Sequence, residues 1–204
     1  MVWQRYLTTL RAGQGEITGI SFRDKSVSGW RRYDFVVQST EGEGVRQFYG
    51  DNIYMRGFLH DLYLRPRCYA CMAKGGRSQS DLTLGDYWGV ERTCPDLDQA
   101  LDENKGSSVV LIHSAQGQRL WSGLTCRSQE TSYASALAGN PSIEQSVAEP
   151  PKRQLFFEQI NAEPLDSLIA RLTATPLHKR LWRHLHHQAH RVKLRLRHLA
   201  QRAH

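Results

Sequence analysis

The sequence predicts an α+β (mixed α/β) fold: an antiparallel meander and a mixed sheet with flanking helices, followed by a helical C-terminal tail. Three observations support this fold class. Apolar and polar residues alternate within residues 16–49, between groups of turn-forming residues. Apolar residues recur at helical spacing within residues 3–10, 52–62 and 152–172. A continuous apolar run at Ser108–His113 indicates a buried strand.

Composition limits the protein class. With 204 residues and 40% hydrophobic residues, the chain is long enough for one domain with an appended tail. No apolar run reaches the ~18 residues that a membrane span requires, and the N-terminus carries charge where a secretory signal needs an apolar block. We therefore expect a cytoplasmic protein. Its four irregularly spaced cysteines do not indicate a disulfide framework.

The basicity is concentrated at the C-terminal end. Residues 176–204 contain eight of the 27 Lys and Arg residues, seven of the nine His residues and no acidic residue. The preceding residues are nearly neutral, with 19 basic and 20 acidic side chains. The net charge of +7 therefore describes the tail rather than the body of the protein.

The first half is predicted to contain a helix, three strands and a second helix. The first helix spans Trp3–Leu10. The strands are Glu16–Arg23, a returning strand with Trp30 and Tyr33–Ser39, and Val45–Tyr49, separated by turns at 24–29 and 41–44. The second helix runs from Asn52 to about Leu62 with Asp51 as its N-cap, and Pro66 ends it before a cysteine-containing loop.

The second half is predicted to begin with a strand at Asp81–Leu84 that breaks at Gly85, with Leu82 and Leu84 in the core. A polar stretch then leads to a strand–helix–strand unit made of Ser108–His113, Ala115–Gly123 and Leu124–Gln129. A short helix at Ser132–Ala138 follows. Residues 149–151 form a linker, which divides the chain into a domain at 1–148 and a helical extension at 149–204. Its helices are placed at Lys152–Asn161, Leu165–Leu172 and from Leu177 to the end.

The spacing of Cys68 and Cys71 allows four interpretations. A thioredoxin-like redox pair requires a helix after the first cysteine, but Gly75 and Gly76 follow closely. A structural zinc site requires four ligands, of which Cys94 could be the third. The pair could also be two ordinary thiols. Finally, it could ligate an iron–sulfur cluster, which needs about four thiolates.

Three further segments have both a structural and a ligand-binding interpretation. Residues 81–89 could be only a strand and turn, or could present Asp86 and Trp88 to a flat cofactor. Arg23 and Lys25 flank a turn that is either solvated or able to bind a phosphate or cofactor tail beside Trp30. Residues 105–107 could be a capped turn or an anion-binding loop.

Together these segments resemble one family, the beta subunit of coenzyme F-420 hydrogenase/dehydrogenase, specifically its C-terminal domain. The resemblance covers about residues 3–160 and is carried by five pieces in the same order and spacing: Ser21–Lys25 with Gly29-Trp30, Tyr54–Leu59, Leu64–Cys71, Ser80–Gly89 and Asp102–Val109.

The resemblance implies an iron–sulfur flavoprotein. Cys68 and Cys71 would ligate a 4Fe-4S cluster, FAD would be a cofactor and F-420 a substrate that takes a hydride. Bacterial relatives often accompany polysaccharide biosynthesis genes. Arg23, Lys25, Asp86 and Trp88 are predicted cofactor contacts from their chemistry alone.

The sequence departs from the family in one respect. Relatives carry a cysteine-rich, ferredoxin-like segment upstream of this domain, and this sequence does not include one. Met1 falls where the second half of such a protein would begin. We therefore expect either a truncated copy or a chain that works with a separately encoded N-terminal half or another redox partner. In the second case the protein would be part of an oxidoreductase.

The tail carries an apolar stripe on a cationic helix, from Leu177 to Ala203. It could pack on its own domain or lie at the inner face of a membrane, because cationic faces attract anionic headgroups. Nucleic acid is not expected as a partner, since no recognisable motif is present. The competing functions are thus an electron-transfer module, a non-catalytic scaffold at a membrane surface, or a zinc-stabilised binding domain.

Overall fold

The computed structural model describes residues 1–11, 15–95 and 105–174. Within them lie eight α-helices, one 3₁₀ turn and five strands in two antiparallel sheets, which confirms the α+β class. The helices are α1 (Val2–Arg11), α2 (Ile53–Leu59), α3 (Pro66–Tyr69), α4 (Val90–Thr93), α5 (Ala115–Ser122), α6 (Tyr133–Gly139), α7 (Arg153–Gln159) and α8 (Leu165–Leu172). The 3₁₀ turn is Pro141–Ile143.

The first sheet is the predicted meander, in the order β1 (Ile17–Asp24), β2 (Asp34–Ser39) and β3 (Gly42–Phe48). Ser39 pairs with Gly42, so β3 begins three residues earlier than the sequence indicated and the hairpin loop is only two residues long. Trp30 lies in the turn before β2 rather than in the strand. This places its indole on the side of the sheet where the second half of the chain packs.

The second sheet is a ribbon of two strands, β4 (Leu82–Asp86) and β5 (Ser108–Ile112). Two predictions fail here. β4 continues through Gly85 because Gly85 pairs with Val109, and Leu84 is 70% exposed rather than in the core. The partners Leu84 and Val110 share the outer face of the ribbon, whereas Val109 on the opposite face is buried.

The predicted strand at Leu124–Gln129 is wrong: these residues have no strand pairing and are exposed. No strand–helix–strand unit is therefore formed by residues 108–129. The apolar content of Leu124 misled the prediction, because its neighbours offer no alternating face to bury. β5 was also expected to be fully buried, but only Val109 is, and Ile112 is 38% exposed.

Two hydrophobic cores hold the described residues together. The larger one lies between the meander and helices α1, α2, α7 and α8, and its fully buried members include Phe35, Val37, Phe156, Leu168 and Ile169. The smaller one is built from Tyr87, Val90, Val109 and Ala136. Residues on both sides of the predicted linker at 149–151 share the larger core. The division into two domains at 148 stays a prediction.

The helical tail predicted at 177–204 lies outside the described residues. In the described part of the chain, no helix combines the length and the apolar character needed to cross a bilayer.

Candidate functional site

Cys68 and Cys71 lie on a main chain that is fixed at both positions. Pro66 begins the short helix α3, where a missing amide proton costs nothing, so Cys68 is helical rather than in the predicted loop. The Cys68 amide donates to the Arg65 carbonyl at 2.8 Å, and the Cys71 amide donates to Ser146 Oγ at 2.9 Å. Both thiols are free and half-buried. The pair therefore occupies a defined, partly accessible position.

The turn after the pair is docked on the 3₁₀ turn Pro141–Ile143. The Gly75 amide donates to the Ile143 carbonyl at 3.0 Å, and the Lys74 ammonium donates to the Ser142 carbonyl. Gly75 and Gly76 both have positive φ (63° and 75°), which glycine adopts without strain. The two glycines thus shape the turn that follows the cysteines.

The other two cysteines lie elsewhere. Cys94 Sγ is 3.1 Å from Thr131 Oγ1 and 3.4 Å from Tyr87 Oη, and these hydrogen bonds, that with Thr131 foremost, lower the pKa of the Cys94 thiol. Cys126 is exposed. Among residues 1–11, 15–95 and 105–174, no three His, Cys, Asp or Glu side chains are grouped to hold a metal. A zinc site with Cys94 as third ligand is thus not formed by these residues.

A second group of side chains joins the two sheets, and we call it the seam: Arg23, Trp30, Tyr33, Asp86 and Trp88. Arg23 at the end of β1 forms an ion pair with Asp86 at the end of β4. Trp30 Nε1 approaches the same carboxylate at 3.5 Å. Because β1 and β4 belong to different sheets, these contacts link the two halves of the molecule.

Aromatic rings surround the Arg23 guanidinium. Its central carbon lies 4.8 Å from the Tyr33 ring centre and 5.9 Å from that of Trp88, distances typical of cation–π contacts. The rings of Trp30 and Trp88 are 4.7 Å apart and tilted by 32°. Nε and Nη2 of Arg23 are buried without a hydrogen-bond partner among the described residues. The seam therefore offers unused donors beside a partly exposed indole, Trp88.

Residues 105–107 lie against the seam. Gly106 has a φ of 83°, and a Cβ atom there would come within 2.3 Å of the Trp30 ring. The next carbonyl, that of Ser107, accepts the Tyr87 amide at 2.8 Å. The sequence indicated this loop as a possible anion site; the close fit of glycine on the indole was not foreseen, because only the fold brings the two together.

A cavity of about 930 Å³ lies beside these residues, and we call it the β5 cavity. Its wall includes all of β5, Gln118 and Trp121 of α5, residues 126–133 and Ala136. Tyr87 and Ser107 also line it, so the cavity begins one residue away from the seam. The Ser107 hydroxyl is buried without a partner in the described part of the chain.

The structure thus brings together three of the four predicted cofactor contacts, Arg23, Asp86 and Trp88. The fourth, Lys25, is exposed at the start of the turn, where its carbonyl accepts the Gly29 amide at 3.1 Å. Tyr33 was not predicted as a site residue, because nothing in its local sequence separates it from an ordinary core tyrosine. The role of the four residues as cofactor contacts stays a prediction.

These positions fall within one stretch of recognisable sequence. The family described as the C terminus of the coenzyme F-420 hydrogenase/dehydrogenase beta subunit matches residues 3–132. The chain belongs to this family. No curated protein and no solved structure matches the chain. The F-420 beta-subunit match contains both cysteines of the pair and every seam residue, and it ends before residue 160, where the resemblance was expected to end.

Proposed function

We propose that this chain is an electron-transfer module of the F-420 beta-subunit type, and part of an oxidoreductase when a partner completes it. Cys68 and Cys71 would supply two thiolates to a 4Fe-4S cluster. The observation that supports this is the pair itself: two free, half-buried thiols on a main chain held by Arg65 and Ser146. The family match supports a redox role, which an iron–sulfur cluster can supply and zinc cannot.

The residues present fit half of such a cluster. A 4Fe-4S cluster takes four thiolates, and this chain has four cysteines. Cys94 is engaged with Thr131 and Tyr87, and Cys126 is exposed. Neither is grouped with the pair among the described residues. The remaining thiolates would therefore come from a second polypeptide, such as a ferredoxin-like half.

When bound, the cluster would supply one-electron transfer. The chain's own contribution is to hold two thiolates and balance their charge. Arg65 and Arg67 flank Cys68 in sequence, and their two positive charges would offset the negative charge of the bound thiolates. The hydrogen bond from the Cys71 amide to Ser146 Oγ holds the main chain at the second cysteine.

FAD is the second cofactor in this proposal, with F-420 as hydride-accepting substrate and Arg23, Lys25, Asp86 and Trp88 as contact residues. The free donors of Arg23 and the exposed edge of Trp88 support this assignment. A role near polysaccharide biosynthesis and contact of residues 177–204 with the inner face of a membrane complete the proposal. The alternative is a non-catalytic scaffold docked at that membrane.

Anaerobic reconstitution tests the cluster. The full chain is incubated with iron, sulfide and excess dithiothreitol, whose thiolates can occupy the ligand positions that the chain lacks. We expect a brown protein with stoichiometric iron and sulfide. Cys68→Ser and Cys71→Ser should each lose most of the bound iron, whereas the matched control Cys126→Ser should retain it. A colourless wild type, or equal iron in all four proteins, would support the scaffold instead.

A further inference from the structure

We propose that the surface around Cys68 and Cys71 is a docking site for an acidic, ferredoxin-like polypeptide. We call this surface the cysteine face and define it by four exposed side chains: Arg65, Arg67, Met72 and Arg77. The inference rests on the proposed function and deepens it, because it names where the completing partner binds and what charge its contact surface carries. It is supported by the charge, the exposure and the fixed main chain of the cysteine face.

The cysteine face is positively charged. Residues 62–80 contain four Lys and Arg residues and no acidic residue. The Lys74 ammonium is already used, because it donates to the Ser142 carbonyl. The three arginines are exposed, and the side chains of Arg65 and Arg67 have no partner among the described residues. Arg77 donates through Nε to the Lys74 carbonyl at 3.0 Å, which leaves its other two nitrogens for a partner.

The positive charge of the cysteine face is not compensated by an ion pair within the described residues. Two carboxylates lie on the segment that docks on the cysteine turn, but both have other partners. Glu149 lies 3.5 Å from Arg153, and Glu144 accepts the Tyr133 hydroxyl at 2.9 Å. Arginines in other parts of the described chain do form ion pairs with carboxylates, namely Arg23, Arg46, Arg92, Arg153 and Arg171.

The main chain beneath the cysteine face is held at three points. The Arg65 carbonyl accepts the Cys68 amide at 2.8 Å, and the Cys71 amide donates to Ser146 Oγ at 2.9 Å. The Gly75 amide donates to the Ile143 carbonyl at 3.0 Å. A partner therefore meets a backbone that is already ordered, so less conformational entropy is lost on binding.

Met72 gives the cysteine face an apolar contact beside the thiols. It follows Cys71 directly and is 70% exposed. Methionine and arginine are enriched in protein–protein interfaces, so their combination here is typical of a surface that binds a protein. Nucleic acid is favoured less, because bases stack on exposed aromatic rings. The only ring within residues 65–80 is Tyr69, which is half-buried and donates its hydroxyl to the Asp61 carbonyl at 2.5 Å.

The position of the two thiols determines which protein approaches the cysteine face. Cys68 and Cys71 are half-buried within it, and a polypeptide that supplies the remaining cluster thiolates has to contact the surface around them. Opposite charges across such a contact steer the encounter and favour the correct partner. The contact surface of the partner should therefore carry Asp and Glu residues around its own thiolates.

Binding of a small acidic ferredoxin to the cluster-free full chain tests this inference, with the fluorescence anisotropy of a label on the ferredoxin as the signal. This ferredoxin carries complete 4Fe-4S clusters, so its docking does not require a shared one. Its affinity should fall at least about fivefold between about 50 and about 300 mM NaCl. Arg67→Glu combined with Arg77→Glu should weaken binding at least about tenfold. Met72→Ala should weaken it about threefold without changing the salt dependence.

A matched control makes the same change in net charge at other positions. Arg32→Glu combined with Arg119→Glu reverses two exposed arginines outside residues 62–80, and this variant should bind within about twofold of the wild type. Equal affinity of the two double variants would assign the binding to another surface, such as the basic residues 176–204, and would overturn the proposal. No binding by the wild type, or tighter binding of a short DNA duplex that only the first double variant loses, would also overturn it.

Iron uptake by the same proteins in the presence of dithiothreitol requires no partner. It therefore shows separately whether the proposed function stands.

Discussion

Arg23 is the residue at which the two sheets of this protein meet. Its guanidinium is paired with Asp86, lies over Tyr33 and Trp88, and retains two buried donors without partners among the described residues. A lysine could supply the charge but not the planar surface that contacts both rings. The position therefore depends on arginine for packing as much as for charge.

Removal of the Asp86 charge should loosen this junction. Asp86→Asn keeps the shape but leaves a half-buried guanidinium without its anion. Because both side chains are partly solvated, at 35% and 24% exposure, we expect a loss of about 1–2 kcal/mol in the free energy of unfolding, measured by urea denaturation. Glu91→Gln removes the partner of exposed Arg92 and should cost below ~0.5 kcal/mol. Equal effects would show that the seam pair adds no stability.

At the scale of elements, the N-cap of α2 differs from the residue that the sequence predicted. The sequence favoured Asp51, but the cap is Asn52, whose side-chain oxygen accepts the Met55 amide at 3.0 Å. The Asn52 amide group also donates to Tyr6 Oη at 2.7 Å and to Gln47 Oε1 at 2.8 Å. An aspartate could cap the helix but could not donate to these two oxygens. The fully buried residue thus joins α1, β3 and α2.

Asn52→Ala should therefore cost more than the loss of an ordinary cap. The cap alone contributes about 1 kcal/mol, and the buried Tyr6 hydroxyl left without its donor adds to it, so we expect a loss of about 2–4 kcal/mol in the free energy of unfolding. Asp51→Ala should change the free energy of unfolding by less than ~0.5 kcal/mol because that side chain is exposed. Urea denaturation of both variants measures the two losses. A larger loss in Asp51→Ala than in Asn52→Ala would show that Asp51 is the cap, as the sequence suggested.

The end of α6 is fixed by a close approach of two backbones. A Cβ atom at Gly139 would lie 1.5 Å from the Trp88 carbonyl oxygen. Gly139→Ala should therefore separate α6 from the seam and cost about 1–3 kcal/mol in thermal or urea unfolding. Gly123, which ends α5 at an ordinary φ of −84° with no contact under 3.5 Å, provides the control. A stable Gly139→Ala variant would mean that this helix end adjusts freely.

Local sequence predicted those elements whose pattern is strong. The meander, α1, α5, α6, α7 and α8 lie within a few residues of their predicted ranges, since alternation or helical spacing specifies one face. It failed at Leu84 and at 124–129, where apolar residues stay exposed. Apolar character predicts burial only if another element covers the face, and sequence alone does not show which element does so.

The candidate site was predictable in part for the same reason. Arg23, Asp86 and Trp88 were chosen by chemistry, and the fold brings them together across 63 residues of sequence. Tyr33, Gly106 and the β5 cavity are products of tertiary packing. A cavity has no signature in a single sequence, because its wall is drawn from β5, α5, α6 and the segment between the two helices.

On the scale of the whole molecule, the chain has one large core under the meander and a smaller one beside the ribbon. α7 and α8 contribute Phe156, Leu168 and Ile169 to the large core, all fully buried. A two-stranded ribbon is only marginally stable by itself, so the stability of the smaller core depends on α4, α6 and the seam. The two parts should thus differ in stability while sharing contacts.

Leu168→Ala tests whether the C-terminal helices unfold with the meander. Deletion of a fully buried leucine side chain should cost about 2–5 kcal/mol through lost burial and the cavity left behind. If α8 belongs to the same folding unit as β2, the unfolding transition followed by the near-UV signal of the meander aromatics should show the same loss of free energy. Two separate transitions, with only one shifted, would instead support an independent unit beginning at 149.

The contact between Trp30 and Trp88 gives the protein an intrinsic fluorescence probe. Two indoles 4.7 Å apart couple electronically and emit differently from separated ones. Because one is contributed by the meander side and the other follows the ribbon, their emission reports on whether the sheets stay joined. Any compound or mutation that separates the two sheets would change this tryptophan emission without an added label, even while both sheets remain folded.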